Sequence, residues 1–150
     1  MTTRPRIYAA HPMTAYGTDH ARRALSGLAE LLSGCELLNP AEQAWETNEA
    51  WLAEWPVIVR NIVGLVVFAH QDGTVGTGCL RELGDAIAER VPVAGYSIEA
   101  GLVDLAGVDF LPRGERTPCR VGTLRLGGPV AWSWARTCIG PPTTTTRGTP

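Results

Sequence analysis

The chemistry of this 150-residue chain can be organised around Glu82. It lies in the early turns of an expected helix, just after a loop carrying Gly73, Gly76 and Gly78. That loop follows the most apolar run of the chain, Gly64 to Ala69. Glycines let backbone approach a ligand closely, and the amides at a helix start favour an anion. The same field favours the ionised form of an acid in the first turns. An ionised carboxylate facing a cleft can attack a sugar carbon. The competing reading is an acid that only stabilises its own helix.

Other side chains invite the same weighing. His11 and His70 titrate near neutrality and can donate a proton to a leaving base, although loop histidines are more often simply solvated. Tyr8 can touch a sugar hydroxyl or sit in the core as a strand aromatic. Trp45, Trp51 and Trp55 can stack a base, or cover the core at helical spacing, which is the preferred reading. Trp132 and Trp134 are candidates for a subunit contact.

Much chemistry is excluded. All 13 basic residues are arginine, which removes Schiff-base and P-loop lysines. Gly76-Thr77-Gly78 lacks the third glycine of a dinucleotide fingerprint, Arg81 standing in its place, and no GxSxG elbow occurs. Cys35, Cys79, Cys119 and Cys138 are widely spaced, and His11, His20 and His70 do not cluster. Reduced thiols, no metal and no cofactor are therefore expected.

The elements that must position these residues alternate. Arg6 to Ala10 reads as a strand. Asp19 to Ser33 reads as a helix with Ala21, Leu25, Leu28, Leu31 and Leu32 inward, stopped by Gly34. Glu36 to Leu38 is a second strand. Asn39-Pro40-Ala41-Glu42 opens a second helix running to about Glu54 and broken or kinked by Pro56, with one more turn at Ile58 to Ile62. Gly64 to Ala69 is a central parallel strand. Cys79 to Arg90 is a third helix, with Leu80, Leu83 and Ile87 inward. Val91 to Tyr96 is another strand, residues 102–111 form a strand or short helix, and Val121 to Leu126 forms an edge strand. This order predicts an α/β fold, a flavodoxin/Rossmann-like parallel sheet with helices on both faces. Ligands of such sheets bind beyond the carboxyl ends of the strands, where loops 11–18, 39–45 and 69–79 converge.

With 45% hydrophobic and 19% charged residues, the chain reads as one globular domain over 1–112. A weakly patterned extension over 113–139 and a low-complexity, disordered tail over 140–150 follow. Residues 1–110 hold 7 Arg and 14 acids, a net of −7, whereas residues 111–150 hold 6 Arg and one Glu, a net of +5. The basic end reads as a flexible tail, or as one that reaches a phosphate or an acidic neighbour. No apolar run is long enough for a membrane span, and no signal peptide is evident. A cytoplasmic location is expected, with neither membrane nor nucleic acid as partner.

Three segments together resemble the nucleoside 2-deoxyribosyltransferase-like family. Ile7-Tyr8-Ala9-Ala10-His11-Pro12-Met13 is similar to its "IYxAGPM" opening, and Leu37-Leu38-Asn39-Pro40 to its "vvNP" signature. Val66-Val67-Phe68, the glycine loop and Glu82-Leu83-Gly84-Asp85-Ala86 are similar to the strand, loop and "ELGxA" helix that carry its nucleophile. The likeness spans about residues 5–96. It implies a flavodoxin-like fold and cleavage of an N-glycosidic bond of a nucleoside or nucleotide, with Glu82 as nucleophile and Tyr8 in contact with the site. Asp72, Gly76 and Gly78 are the implied contacts to sugar or phosphate, and His11 stands where the family often has glycine. Glu82 would attack C1′ and expel the base, and a second base or water would resolve the glycosyl-enzyme. A homo-oligomer is also implied. Two acidic positions of the family fall near Pro56 and Gly64 here, and the loop before Glu82 is about two residues longer. The alternatives are a catalytically weak nucleotide-binding or sensor module, a nucleotide phosphoribohydrolase, and a domain that acts through a protein partner.

Overall fold

The computed structural model describes residues 4–43, 47–112 and 121–130. Trp45, Trp132, Trp134, Cys119, Cys138, the tail over 140–150 and most of the extension over 113–139 lie outside the described residues.

Four short apolar segments pair in parallel: β1 (Arg6–Ala10), β2 (Glu36–Leu38), β3 (Gly64–Val67) and β5 (Val93–Ser97). In β1 and β3, Tyr8 stands beside Leu65 and Ala10 beside Val67. Successive side chains of a strand point to opposite faces. Ile7, Ala9 and Val66 therefore join one core with Ala21, Ala24 and Leu28 of α1 (Asp19–Leu31). Tyr8, Ala10, Leu65 and Val67 join a second core with Trp55 and Val59 of α2 (Asn48–Arg60) and Cys79, Leu83 and Ala86 of α3 (Thr77–Ala88). Helices thus cover both faces, and the fold is the α/β flavodoxin/Rossmann-like type. The parity of β1 is what sends Tyr8 to the side of α3.

The sheet is mixed beyond β5. β6 (Gly101–Phe110) pairs antiparallel with β5, and β7 (Gly122–Pro129) pairs antiparallel with β6. β7 also pairs with β4 (Thr74–Val75), a two-residue strand inside the glycine loop, giving the order β2-β1-β3-β5-β6-β7-β4. β7 is therefore an inner strand, not an edge, and it anchors the loop that leads into α3. It belongs to the same sheet as β1, so the sheet does not end at residue 112.

Expectations for all three helices need correction. In α1, Ala24 is buried and Leu31 is exposed, because small alanines let the helix sit close to the sheet. Asn39 caps only a single 3-10 turn at Pro40–Glu42; α2 starts later, at Asn48, with the Thr47 hydroxyl accepting from the Ala50 amide at 3.1 Å. Pro56 does not end α2. It lies inside the helix on its exposed side, where its missing N–H leaves one backbone carbonyl without its helical donor.

The correction to α3 matters most. The buried side of α3 is Cys79, Glu82, Leu83 and Ala86, whereas Ile87 is 56% exposed and Leu80 half-buried. Cys79 and Ala86 are small enough for close packing on Tyr8 and Val67, and that phase turns Glu82 inward.

Candidate functional site

On the α3 side of the sheet Tyr8 of β1 meets Cys79 and Glu82 from the first turns of α3, with Trp51 reaching in from α2 and Tyr16 within electrostatic reach, whereas His11, just past β1, turns to Phe68 on the α1 side. Glu82 is only 5% exposed. Its Oε2 accepts a hydrogen bond from the Tyr8 hydroxyl. The expected ionised carboxylate at the mouth of a cleft is thus replaced by a buried carboxyl in a polar pair. Burial is the main cause that pushes the Glu82 pKa up to about 7; hydrogen bonds from Tyr8 and Trp51 pull it down, and the charge of Asp85 adds a small upward push. The Tyr8 phenol is pushed far up by burial first and by the Glu82 charge second, so it stays protonated and remains a donor. Burial, then Glu82, likewise raises the Cys79 thiol, which excludes a thiolate nucleophile.

Aromatic rings frame the pair. Tyr8 tilts against Trp55, with centroids 4.9 Å apart, and Trp51 stacks on Trp55 at 5.9 Å. The Arg81 guanidinium lies over Trp51, 5.8 Å from its ring centre. The Trp55 indole donates to Oδ2 of Asp85 at 2.9 Å, tying α2 to α3. Tyr16 is half-buried, and its phenol is raised by burial first and then by the charge of Glu82. Tyr16 was legible only as a loop residue; Trp51 was legible as an aromatic at helical spacing, without its link to Glu82.

His11 is not a solvated loop residue. It is 2% exposed, stacks on Phe68 with centroids 4.5 Å apart, and meets Tyr16 at 4.8 Å. Its Nδ1 lies 2.9 Å from the Ala9 carbonyl oxygen. A carbonyl only accepts, so Nδ1 carries the proton and Nε2 carries the lone pair. Burial lowers the pKa of His11 and keeps it neutral. The role of proton donor to a leaving base therefore does not suit Nε2. Among the described residues Nε2 has no hydrogen-bond partner, and a buried acceptor left so costs about 1–3 kcal/mol.

The remaining candidates occupy the glycine loop. Asp72 is exposed, and its Oδ1 accepts from the Thr74 amide at 3.0 Å and the Thr74 hydroxyl at 2.6 Å, bonds that lower its pKa. It holds the turn before β4 rather than facing Glu82. Gly76 caps α3 with no side-chain partner, and Gly78 is exposed in the first turn; a Cβ on either would meet open space. His70 shares a 2.6 Å hydrogen bond with the Thr14 hydroxyl, which ties the first loop to the third.

Two cavities flank this arrangement. One of about 200 Å³ lies between α1 and the ends of β3 and β5, lined by His20, Arg23, His70, Tyr96 and Ser97 among others. One of about 220 Å³ lies between α2 and α3, lined by Trp55, Arg81 and Asp85 among others. Glu82 lines neither. Among the described residues no group of three or more His, Cys, Asp or Glu side chains is placed to hold a metal ion, and no helix is long and apolar enough to cross a membrane.

Comparison with known proteins adds no family: no family model, no curated protein and no solved structure matches this chain.

Proposed function

We propose that this chain cleaves the N-glycosidic bond of a (deoxy)nucleoside or nucleotide, with Glu82 as the nucleophile, as its resemblance to nucleoside 2-deoxyribosyltransferase-like proteins implies. The observation that carries the reading is the Tyr8–Glu82 hydrogen bond. It joins the two residues that the resemblance assigns to the reacting centre, 74 positions apart in the chain, on the α3 side of the sheet's parallel core.

A carboxyl with a pKa near 7 is substantially ionised at neutral pH and weakly solvated. Both properties suit attack on C1′. Tyr8, locked as a donor, fixes Oε2 and so orients the carboxylate. Attack forms a bond from a carboxylate oxygen to C1′ while the C1′–N bond breaks, its electron pair leaving with the base. The base takes up a proton from solvent. Water, or a nitrogen of a second base, then attacks C1′; the C1′–O bond to Glu82 breaks, the attacking water or N–H gives a proton back, and the carboxylate returns. The site must open for this, and Tyr16 and Trp51 are the half-exposed rings that interact with the carboxyl.

A second reading, a nucleotide-binding or sensor module, is favoured by one observation: Glu82 is 5% exposed and lines neither cavity. The discriminating experiment is release of free base from the four 2′-deoxynucleosides and their 5′-monophosphates. Release by wild type, abolished in Glu82→Ala, supports the enzyme. Binding without release, equal in both proteins, supports the sensor.

A further inference from the structure

The cavity of about 200 Å³ between α1 and the carboxyl ends of β3 and β5 lies on the sheet face opposite Glu82, and the nucleoside reading leaves it unused. Ligands of open α/β sheets bind beyond the carboxyl ends of the strands. Much of its wall is apolar: Phe68 and Tyr96 belong to the α1-side core, and Ile98 and Leu126 add to them. A cavity of about 150 Å³ holds a benzene-sized body, so this one has room for a ring and a small polar head.

The polar groups of the same wall are mostly donors. Residues 1–110 hold 7 Arg and 14 acids, so an arginine there has acceptors in plenty. Arg23 nevertheless has no carboxylate or carbonyl partner among the described residues, whereas its neighbour Arg22 is held by Asp19 and the Gly17 carbonyl. Ser97 Oγ accepts from the Ala100 amide at 2.9 Å, and its own proton has no acceptor among the described residues. The His20 and His70 rings are each fixed through Nε2, to the Ala69 carbonyl at 3.0 Å and the Thr14 hydroxyl at 2.6 Å, which keeps Nδ1 for a further partner. Glu99, exposed, is the one acid among the cavity residues.

We propose that this cavity is a second ligand site and takes a small organic anion, its carboxylate or phosphate head bound by the Arg23 guanidinium and the Ser97 hydroxyl and its apolar body set against Phe68 and Tyr96. A guanidinium is the donor best matched to either head, and hydrogen bonds to a charged oxygen are about twice as strong as neutral ones. A cationic ligand would meet Arg23 with like charge. A neutral one would forgo the charge-assisted bonds. Glu99 opposes an anion, but its exposed charge is screened by solvent and outnumbered by the donors. The site stands apart from the Tyr8–Glu82 pair, so it neither rests on the nucleoside reading nor falls with it.

The probes are benzoate and phenyl phosphate, which share a ring and differ in the anionic head, with benzamide as the neutral counterpart and benzylamine as the cation. Binding to the full chain is followed by the ¹H–¹⁵N signals of the His20 and His70 rings and of the Ser97 amide. Wild type should bind at least one anion about tenfold more tightly than benzamide or benzylamine, and the tighter of the two anions identifies the head. Arg23→Gln should weaken that binding about tenfold. Arg22→Gln removes the same charge one residue away, outside the cavity, and should bind as wild type. Both arginines are exposed, so neither variant opens the core, and the wild-type comparison of anion with benzamide stands without them. Three results overturn the proposal: benzamide or benzylamine binding as tightly as the anions, Arg22→Gln and Arg23→Gln behaving alike, or no response of these signals to either anion at millimolar concentration. Base release, read separately on Glu82→Ala, is untouched by any of them.

Discussion

The Tyr8 hydroxyl donates to Oε2 of Glu82, linking the first strand to the third helix inside the core that also holds Trp55 and Leu83. Each partner explains the other's burial. A lone carboxyl there would carry the full desolvation cost, and a lone phenol would lack an acceptor. The bond also makes the ionisation of Glu82 a property of the fold, because the donor comes from β1 and the burial from α2 and α3.

Tyr8→Phe removes the donor and keeps the ring against Trp55. The bond lowers the Glu82 pKa, so its loss should raise that value above about 7. The expected loss of stability is about 1–3 kcal/mol, larger above neutrality, where the unsupported carboxylate is charged. Urea unfolding at acid and alkaline pH checks this. A variant as stable as wild type at both ends would show that the bond contributes nothing.

Glu82 gives stability a pH dependence whose sign is fixed. Its pKa is raised in the folded chain, about 7 against an ordinary 4.5, so the folded state holds the proton more tightly than the unfolded one. The contribution is therefore complete below about 4.5 and is lost as pH rises through about 7, to a total of about 3 kcal/mol. Glu82→Gln should have a flatter profile than wild type across that window, measured as urea midpoints. Parallel profiles would mean that Glu82 titrates as an ordinary carboxyl.

The elements that hold this pair were legible because their signals are local. Arg6–Ala10, Glu36–Leu38 and Gly64–Val67 are short apolar runs bounded by turn residues, and the structure pairs them in parallel. The phase of α3 was not legible. Leucine and isoleucine at 80, 83 and 87 outline one stripe, but the helix turns Cys79, Glu82 and Ala86 inward because Tyr8 waits on the facing strand. A glutamate inside an apolar face reads as surface until its partner is known, and that partner lies 74 residues away. β4 was hidden for a similar reason: two residues become a strand only through pairing with Gly122 and Thr123. His11 read as a loop residue because nothing in its neighbours announces the stack on Phe68.

Gly27 marks where α1 packs on the sheet. A Cβ there would run into the Tyr96 hydroxyl at the end of a buried ring. Alanine normally stabilises a helix interior relative to glycine by about 1 kcal/mol. Here overpacking should win, and Gly27→Ala should destabilise by about 1–3 kcal/mol. Gly95→Ala is the control. Its Cβ would meet the tip of the exposed Leu126 side chain at 2.5 Å, which can move aside, so a change under about 1 kcal/mol is expected. Thermal unfolding of both variants decides; a Gly27→Ala protein as stable as wild type would refute the close contact.

The strongest check on the role of Glu82 is the pH dependence of base release. Attack requires the carboxylate, so kcat/KM should rise with pH through about 7 and then level off. Tyr8→Phe should move the midpoint upward. Trp51→Phe should do the same to a smaller extent, since the hydrogen bond from Trp51 is the lesser of the two that lower the Glu82 pKa. A rate that falls with rising pH would assign the work to the protonated carboxyl, as a general acid, and would remove Glu82 from the role of nucleophile. A midpoint unmoved by Tyr8→Phe would assign the titration to another group.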